Sequence, residues 1–149
     1  MNRDGTILLA DDSEDDILLT RIAFERAGIK NSLQEAHNGE ETIAYLKGEA
    51  PYNDRARFPL PIILLMDLNM PRKNGCEVLT WLRAQKGLRR LPVIILSAST
   101  RVEDVTRAFD SGANSFLLKP SSLSELVSTI EALGNWMKFN YFPSLADDA

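Results

Sequence analysis

The chain has 149 residues, 44% of them apolar and 26% charged, which suits one soluble domain with a single core and leaves no room for a second. A net charge of −4 and a pI near 5.0 argue against a duplex nucleic-acid surface, which rewards clustered Lys and Arg. The lone Cys76 excludes an internal disulfide and a thiolate zinc cluster, and the first apolar run, five residues long, is too short for a signal peptide or a membrane span. These features lead us to expect a cytoplasmic protein without a nucleic-acid or membrane partner, and Cys76 to be a packed small residue.

Thr6 to Ala10 reads as a strand buried on both faces. An acidic loop then leads into a helix with an approximate apolar stripe at Ile17, Leu18, Ile22 and Phe24 to Ala27, stopped by Gly28. Residues 32 to 37 form a weaker strand, and Asn38-Gly39 opens a helix carrying Ile43, Ala44 and Leu46 that Gly48 ends. Residues 48 to 61, with three prolines and mixed charge, form a long irregular connection. Ile62 to Met66 is the most apolar strand, and Pro71 biases the residues after Asp67 toward a loop. A helix over 75 to 85 turns Val78, Leu79 and Leu82 inward. VIILSAS is the fourth strand, 102 to 110 the fourth helix, and SFLLKP the fifth strand. A last helix from Ser122 carries Leu123, Leu126, Val127, Ile130, Leu133 and Met137. Five strand-then-helix units predict a doubly wound α/β parallel sheet with helices on both faces.

Asp11-Asp12, Asp67, Ser97 and Lys119-Pro120 each fall at or just past the carboxyl end of an apolar run, and in such a sheet those ends converge on one crevice. Three carboxylates, a hydroxyl and an ammonium suit a divalent cation and a phosphoryl group. Crowded carboxylates raise one another's pKa unless a cation neutralises them, and an all-oxygen site with room for waters favours Mg²⁺ over zinc. The small Ala98 leaves the phosphoryl position accessible. Each fragment alone has a plainer reading, as a helix N-terminus, a turn or a strand exit; their joint placement does not. His37, without Cys or carboxylate partners at ligand spacing, is read as a surface or half-buried residue.

The fragments LADDSEDD, LLMDLNMPRKNG, VIILSAS and SFLLKP, in this order and spacing, resemble the receiver domain of two-component response regulators, from about Thr6 to Leu133. The resemblance implies a flavodoxin-like fold with strand order 2-1-3-4-5 that accepts a phosphoryl group from a histidine kinase with the help of Mg²⁺. By position, Asp67 resembles the phosphoacceptor, and Asp11, Asp12 and Asp67 with the backbone carbonyl of Asn69 the metal site. Ser97 resembles the switch hydroxyl, Lys119 the invariant lysine and Phe116 the rotameric aromatic. Pro71, Gly75 and Pro120 are read as turn residues around the site. By the same resemblance, phosphorylation of Asp67 draws Ser97 inward, and Phe116 follows.

Residues 1 to 149 are read as one receiver domain without an effector, so that output is by binding. Residues 134 to 149 form an aromatic extension in which Trp136, Phe139, Tyr141 and Phe142 are candidates for a dimer or partner surface. This tail and the long 48 to 61 connection are similar to stand-alone regulators paired with phytochrome-type histidine kinases. Three alternatives stand beside this reading. A haloacid-dehalogenase-type phosphatase expects a second aspartate two residues after its nucleophile, which neither Asp67 nor Asp11 has. A flavodoxin-like cofactor binder expects a glycine- and hydroxyl-rich first loop rather than a carboxylate-rich one. The last is a binding module that works without phosphorylation.

Overall fold

The computed structural model describes residues 3–145. Strands β1 (Ile7–Ala10), β2 (Leu33–Ala36), β3 (Ile63–Met66), β4 (Val93–Ser97) and β5 (Ser115–Leu118) form one parallel sheet in the order β2-β1-β3-β4-β5. The helices are α1 (Glu14–Arg26), α2 (Gly39–Lys47), α3 (Gly75–Arg83), α4 (Val102–Ser111) and α5 (Leu123–Phe139). The expected fold class, strand order and helix count are those observed. β1, β3 and β4 are buried along their whole length because helices cover both faces, which is why they read as unbroken apolar runs.

Alternation along the strands divides the core in two. Leu8 and Ala10 face α2, α3 and α4 with Leu64, Met66 and Ile95. Ile7 and Leu9 face α1 and α5 with Ile63, Leu65 and Ile94. α1 buries Ile17, Thr20, Ala23 and Phe24, whereas Leu18, expected on the inward stripe, is 58% exposed. Leu18 lies about 100° around the helix from Ile17, and Thr20 takes the inward place that the apolar pattern left blank.

Residues 48 to 61 carry no helix or strand, as expected, but they are fixed to α2. The Arg55 guanidinium donates to the carbonyls of Tyr45 and Leu46 at 2.8 Å each and of Phe58 at 3.1 Å, satisfying the open carboxyl end of α2. The Tyr45, Tyr52 and Phe58 rings pack with centroids 5.2 to 6.0 Å apart. Tyr45 also donates to the Pro59 carbonyl at 2.8 Å, and burial pushes its hydroxyl up to about 12. Cys76 is half-buried against the same core.

A second clamp lies at the carboxyl end of α3. Arg83 donates to the carbonyls of Arg89 at 2.8 Å, Leu91 at 2.7 Å and Gly112 at 2.8 Å, and to Asn114 Oδ1 at 2.9 Å. Asn114 Oδ1 in turn accepts the Val93 N–H at 2.8 Å, so one side chain ties the exit of α3, the start of β4 and the end of α4. Burial lowers the pKa of this guanidinium, yet its donors are matched. Arg83→Ala should cost about 2 kcal/mol by leaving carbonyls without donors, read as a lower urea midpoint at unchanged slope. A midpoint equal to that of the wild type would mean that the clamp is redundant.

The aromatic extension divides. Phe139 and Tyr141 are 81% and 79% exposed and Trp136 is partly exposed, while Phe142 is only 9% exposed. Phe142 therefore departs from its expected place on a free interface. It packs edge-on against Trp136 at 5.8 Å and joins the α1–α5 core, because the chain turns back after α5 and covers the lower edge of that layer. Leu145 continues onto the opposite core layer.

Candidate functional site

β1 and β3 run side by side with Ala10 opposite Met66, so the residues that follow them, Asp11 and Asp67, emerge together. Carboxylate oxygens of Asp11, Asp12 and Asp67 lie within 4.8 Å of one another. Asp11 is buried and Asp12 is exposed. β5 delivers Lys119 to the same place, with its backbone N–H on the Ser97 carbonyl at 2.8 Å. Its ammonium reaches Asp11 Oδ2 at 2.7 Å, Asp16 Oδ2 at 3.1 Å and Asp67 Oδ2 at 3.5 Å. The predicted convergence of Asp11, Asp12, Asp67 and Lys119 is therefore present.

The loop after β3 is shaped by two glycines on its neighbours. A Cβ on Gly75 would stand 2.9 Å from the Asp67 carbonyl and 3.1 Å from Leu68 Cα. A Cβ on Gly39 would stand 1.9 Å from the Lys73 carbonyl. The N-terminus of α2 can thus press on the loop, and the N–H groups of Gly39 and Glu40 donate to the carbonyls of Pro71 and Arg72 at 3.3 and 2.8 Å. Arg72 and Lys73 take left-handed backbone angles, φ 51° and 78°, a conformation that is strained for residues with a Cβ. The N–H groups of Leu68 and Asn69 aim at the Asp67 carboxylate, Leu68 at 2.7 Å. Asn69 itself is exposed at the rim, as is Ala98, and Pro120 is half-buried directly after Lys119.

Burial, and secondly the charge of Asp11, raises the Asp67 carboxyl above its ordinary value, against the opposing pull of Lys119. Burial alone would lower the Lys119 ammonium, but hydrogen bonds and charges from Asp11, Asp67 and Asp16 outweigh it and hold the group well above its usual value. The site is thus a cation-seeking carboxylate cluster with one ammonium already inside it. All its available ligand atoms are hard oxygens, a donor set that fits Mg²⁺.

Ser97 is buried, and its hydroxyl accepts the Ser99 N–H at 3.2 Å. Ser99 Oγ donates to the buried Asp104 in the first turn of α4, which also pairs with Arg107 at 2.9 Å. Phe116, opposite Ile95 in the sheet, is half-buried against the core layer of α2, α3 and α4. The sequence reading missed three of these participants: Asp16, Asp104 and Gly39 as the seat of the acceptor loop. Asp16 carried no distinguishing signal, since it is one of three acids, with Glu14 and Asp15, in the first turn of α1. His37 is half-exposed, as expected, but it does have carboxylate neighbours. Glu41 lies 3.1 Å from its Nδ1 and Glu35 3.6 Å from its Nε2, because β2 and the first turn of α2 meet there.

A five-stranded parallel sheet in this order, with a carboxylate cluster and a lysine at its carboxyl edge, defines a flavodoxin-like signalling domain. Residues 7–131 match the response regulator receiver domain, and the chain belongs to that family. It is 36% identical to the response regulator RPA3017, described in red light signaling of R. palustris, with a TM-score of 0.89 over 94% of this chain and 99% of that one. A phosphorylated cyanobacterial phytochrome response regulator, RcpA, matches at 29% identity and a TM-score of 0.84, covering 93% and 98%. A probable methanogenesis regulatory protein, FilR2 of Methanothrix harundinacea, is 33% identical over 94% of this chain and 88% of its own length. Among the described residues no helix is long and apolar enough to cross a membrane.

Proposed function

We propose that the chain is a cytoplasmic response regulator that accepts a phosphoryl group on Asp67 from a sensor histidine kinase and signals by binding a partner. The observation that carries this reading is a half-buried Asp67 carboxylate, raised in pKa, clustered with Asp11 and Asp12 and facing the Lys119 ammonium. Asp11, Asp12, Asp67 and the Asn69 carbonyl would hold Mg²⁺. When bound, the ion supplies charge neutralisation and a ligand position for one phosphoryl oxygen.

The chain's own groups do the rest. An Asp67 oxygen bonds to phosphorus as the phosphorus bond to the donor nitrogen breaks. Lys119 takes a second phosphoryl oxygen and the Ser97 hydroxyl, on leaving the Ser99 N–H, a third. The exposed Ala98 keeps the approach open. Catalysis is confined to the protein's own phosphorylation and dephosphorylation, without a separate substrate. Movement of Ser97 frees Phe116 to turn and alters the surface of α4, β5 and α5. Ser97→Ala should therefore still take the phosphoryl group but lose at least about tenfold in phosphorylation-dependent partner binding or dimerisation, measured by sedimentation or by calorimetry. Full phosphorylation-dependent binding by that variant would sink the relay.

The red-light and phytochrome descriptions of the two solved relatives support a phytochrome-type kinase as partner. The exposed Trp136, Phe139 and Tyr141 support a homodimer or partner contact at the carboxyl end of α5. The deciding experiment is intact-mass analysis after incubation with a small-molecule phosphodonor, with and without Mg²⁺. We expect one phosphoryl adduct, only with metal. A folded protein that takes none would instead be a binding module that works without phosphorylation.

A further inference from the structure

Lys119 carries three N–H donors and faces three carboxylates, Asp11 at 2.7 Å, Asp16 at 3.1 Å and Asp67 at 3.5 Å. Two of these belong, with Asp12, to the cluster whose oxygens converge within 4.8 Å. Asp16 does not. It stands in the first turn of α1, with its backbone N–H on Ser13 Oγ at 3.2 Å, and its side chain is 38% exposed. Asp11 is engaged at both oxygens, by the Ser13 N–H at 3.0 Å and by Lys119. A cation entering the cluster must compete with the ammonium for Asp11 and Asp67. Asp16 is the partner of Lys119 for which no such competition arises.

We infer that Asp16 is a positioning residue that holds the Lys119 ammonium at the rim of the site while a metal ion takes over Asp11 and Asp67, so that the ammonium stays within reach of a phosphoryl oxygen on Asp67. The inference rests on the reading of Asp67 as the acceptor. Asp16 touches neither metal nor phosphoryl group and acts through Lys119. Its removal has a definite sign. Without Asp16 the ammonium settles fully on Asp11 and Asp67, and a metal ion has a tighter ion pair to displace.

A double-mutant cycle read by calorimetric Mg²⁺ titration of the full chain isolates this coupling. Asp16→Asn should weaken Mg²⁺ binding about threefold in the wild-type background, but by less than about 1.5-fold beside Lys119→Ala, where only a screened distant charge is lost. Asp16→Glu should stay within about twofold of the wild type. Equal losses in both backgrounds would make Asp16 a bulk charge and overturn the inference, as would no loss in the wild-type background. Lys119→Met serves as the second background if Lys119→Ala does not fold. Adduct formation in the same proteins separates this inference from the acceptor reading. At saturating Mg²⁺, Asp16→Asn should form adduct about threefold more slowly than the wild type, and an unchanged rate would overturn the inference. Absence of adduct on the wild type would sink the acceptor reading, while the Mg²⁺ cycle would still decide whether Asp16 holds Lys119.

Discussion

Asp67→Asn should abolish the phosphoryl adduct and at the same time raise the melting temperature of the metal-free protein. The first effect follows because the amide lacks the anionic oxygen that must bond to phosphorus. The second follows from the direction of the pKa shift. Burial, then Asp11, raises the Asp67 carboxyl, so the folded state binds its proton more readily than the unfolded state. Stability linked to this group is greatest below the unfolded value near 3.9, falls as pH rises through the folded value, and stays reduced at neutral pH. Asparagine removes that penalty while keeping an oxygen for the Leu68 N–H, and Lys119 keeps Asp11 and Asp16. A gain of about 1 kcal/mol would appear as about 3 °C in a thermal scan at pH 7. Mg²⁺ at a hundredfold excess over its Kd should stabilise the wild type by about 2.7 kcal/mol, and the variant by less. A variant that melts lower than the wild type without metal would show that Asp67 supports the fold rather than straining it.

The parts of the site that depend on strand ends were legible because the sheet itself was legible. Where β1, β3 and β4 are covered on both faces, continuous apolar runs stop at Ala10, Met66 and Ser97, and whatever follows must lie at the carboxyl edge. Asp11 and Asp67 were placed by that geometry, and Lys119 by the shorter apolar run of β5, an edge strand that is only partly buried. The less legible features are set by tertiary contact. Asp16 reads as one of several acids suited to the first turn of α1, and nothing local says that it reaches 103 positions along the chain to Lys119. Gly39 reads as a turn glycine, yet its missing Cβ is what seats α2 on the acceptor loop. Leu18 was misplaced because an apolar count cannot foresee that Thr20 would be buried. Phe142 was misplaced because composition cannot say which of four aromatics lies where the chain turns back.

Lys119→Ala should be the most destabilising change at the site, and Mg²⁺ should reverse most of it. The Lys119 and Asp11 side chains are each 11% exposed and Asp67 is 15% exposed, so removing the ammonium leaves two largely buried carboxylates facing each other without their cation. Breaking such a pair from one side costs about 3 kcal/mol, or about 9 °C in this size of domain. In the wild type the raised Lys119 pKa contributes stability that is full below the unfolded value near 10.4 and is lost only as pH rises through the higher folded value. Lys119 therefore adds no pH dependence between pH 5 and 7, and what the wild type gains on acidification comes from Asp67. In the variant the Asp67 carboxyl rises further, so the metal-free variant should gain more stability than the wild type as pH falls. Mg²⁺ meets no ammonium competing for Asp11 and Asp67, and should raise the variant's melting temperature by more than that of the wild type. The discriminating measurement is a set of thermal scans at pH 5 and pH 7 with and without Mg²⁺. Equal metal-induced shifts in the two proteins would mean that Lys119 and the metal do not share ligands, and the site as built from Asp11, Asp67 and Lys119 would have to be redrawn.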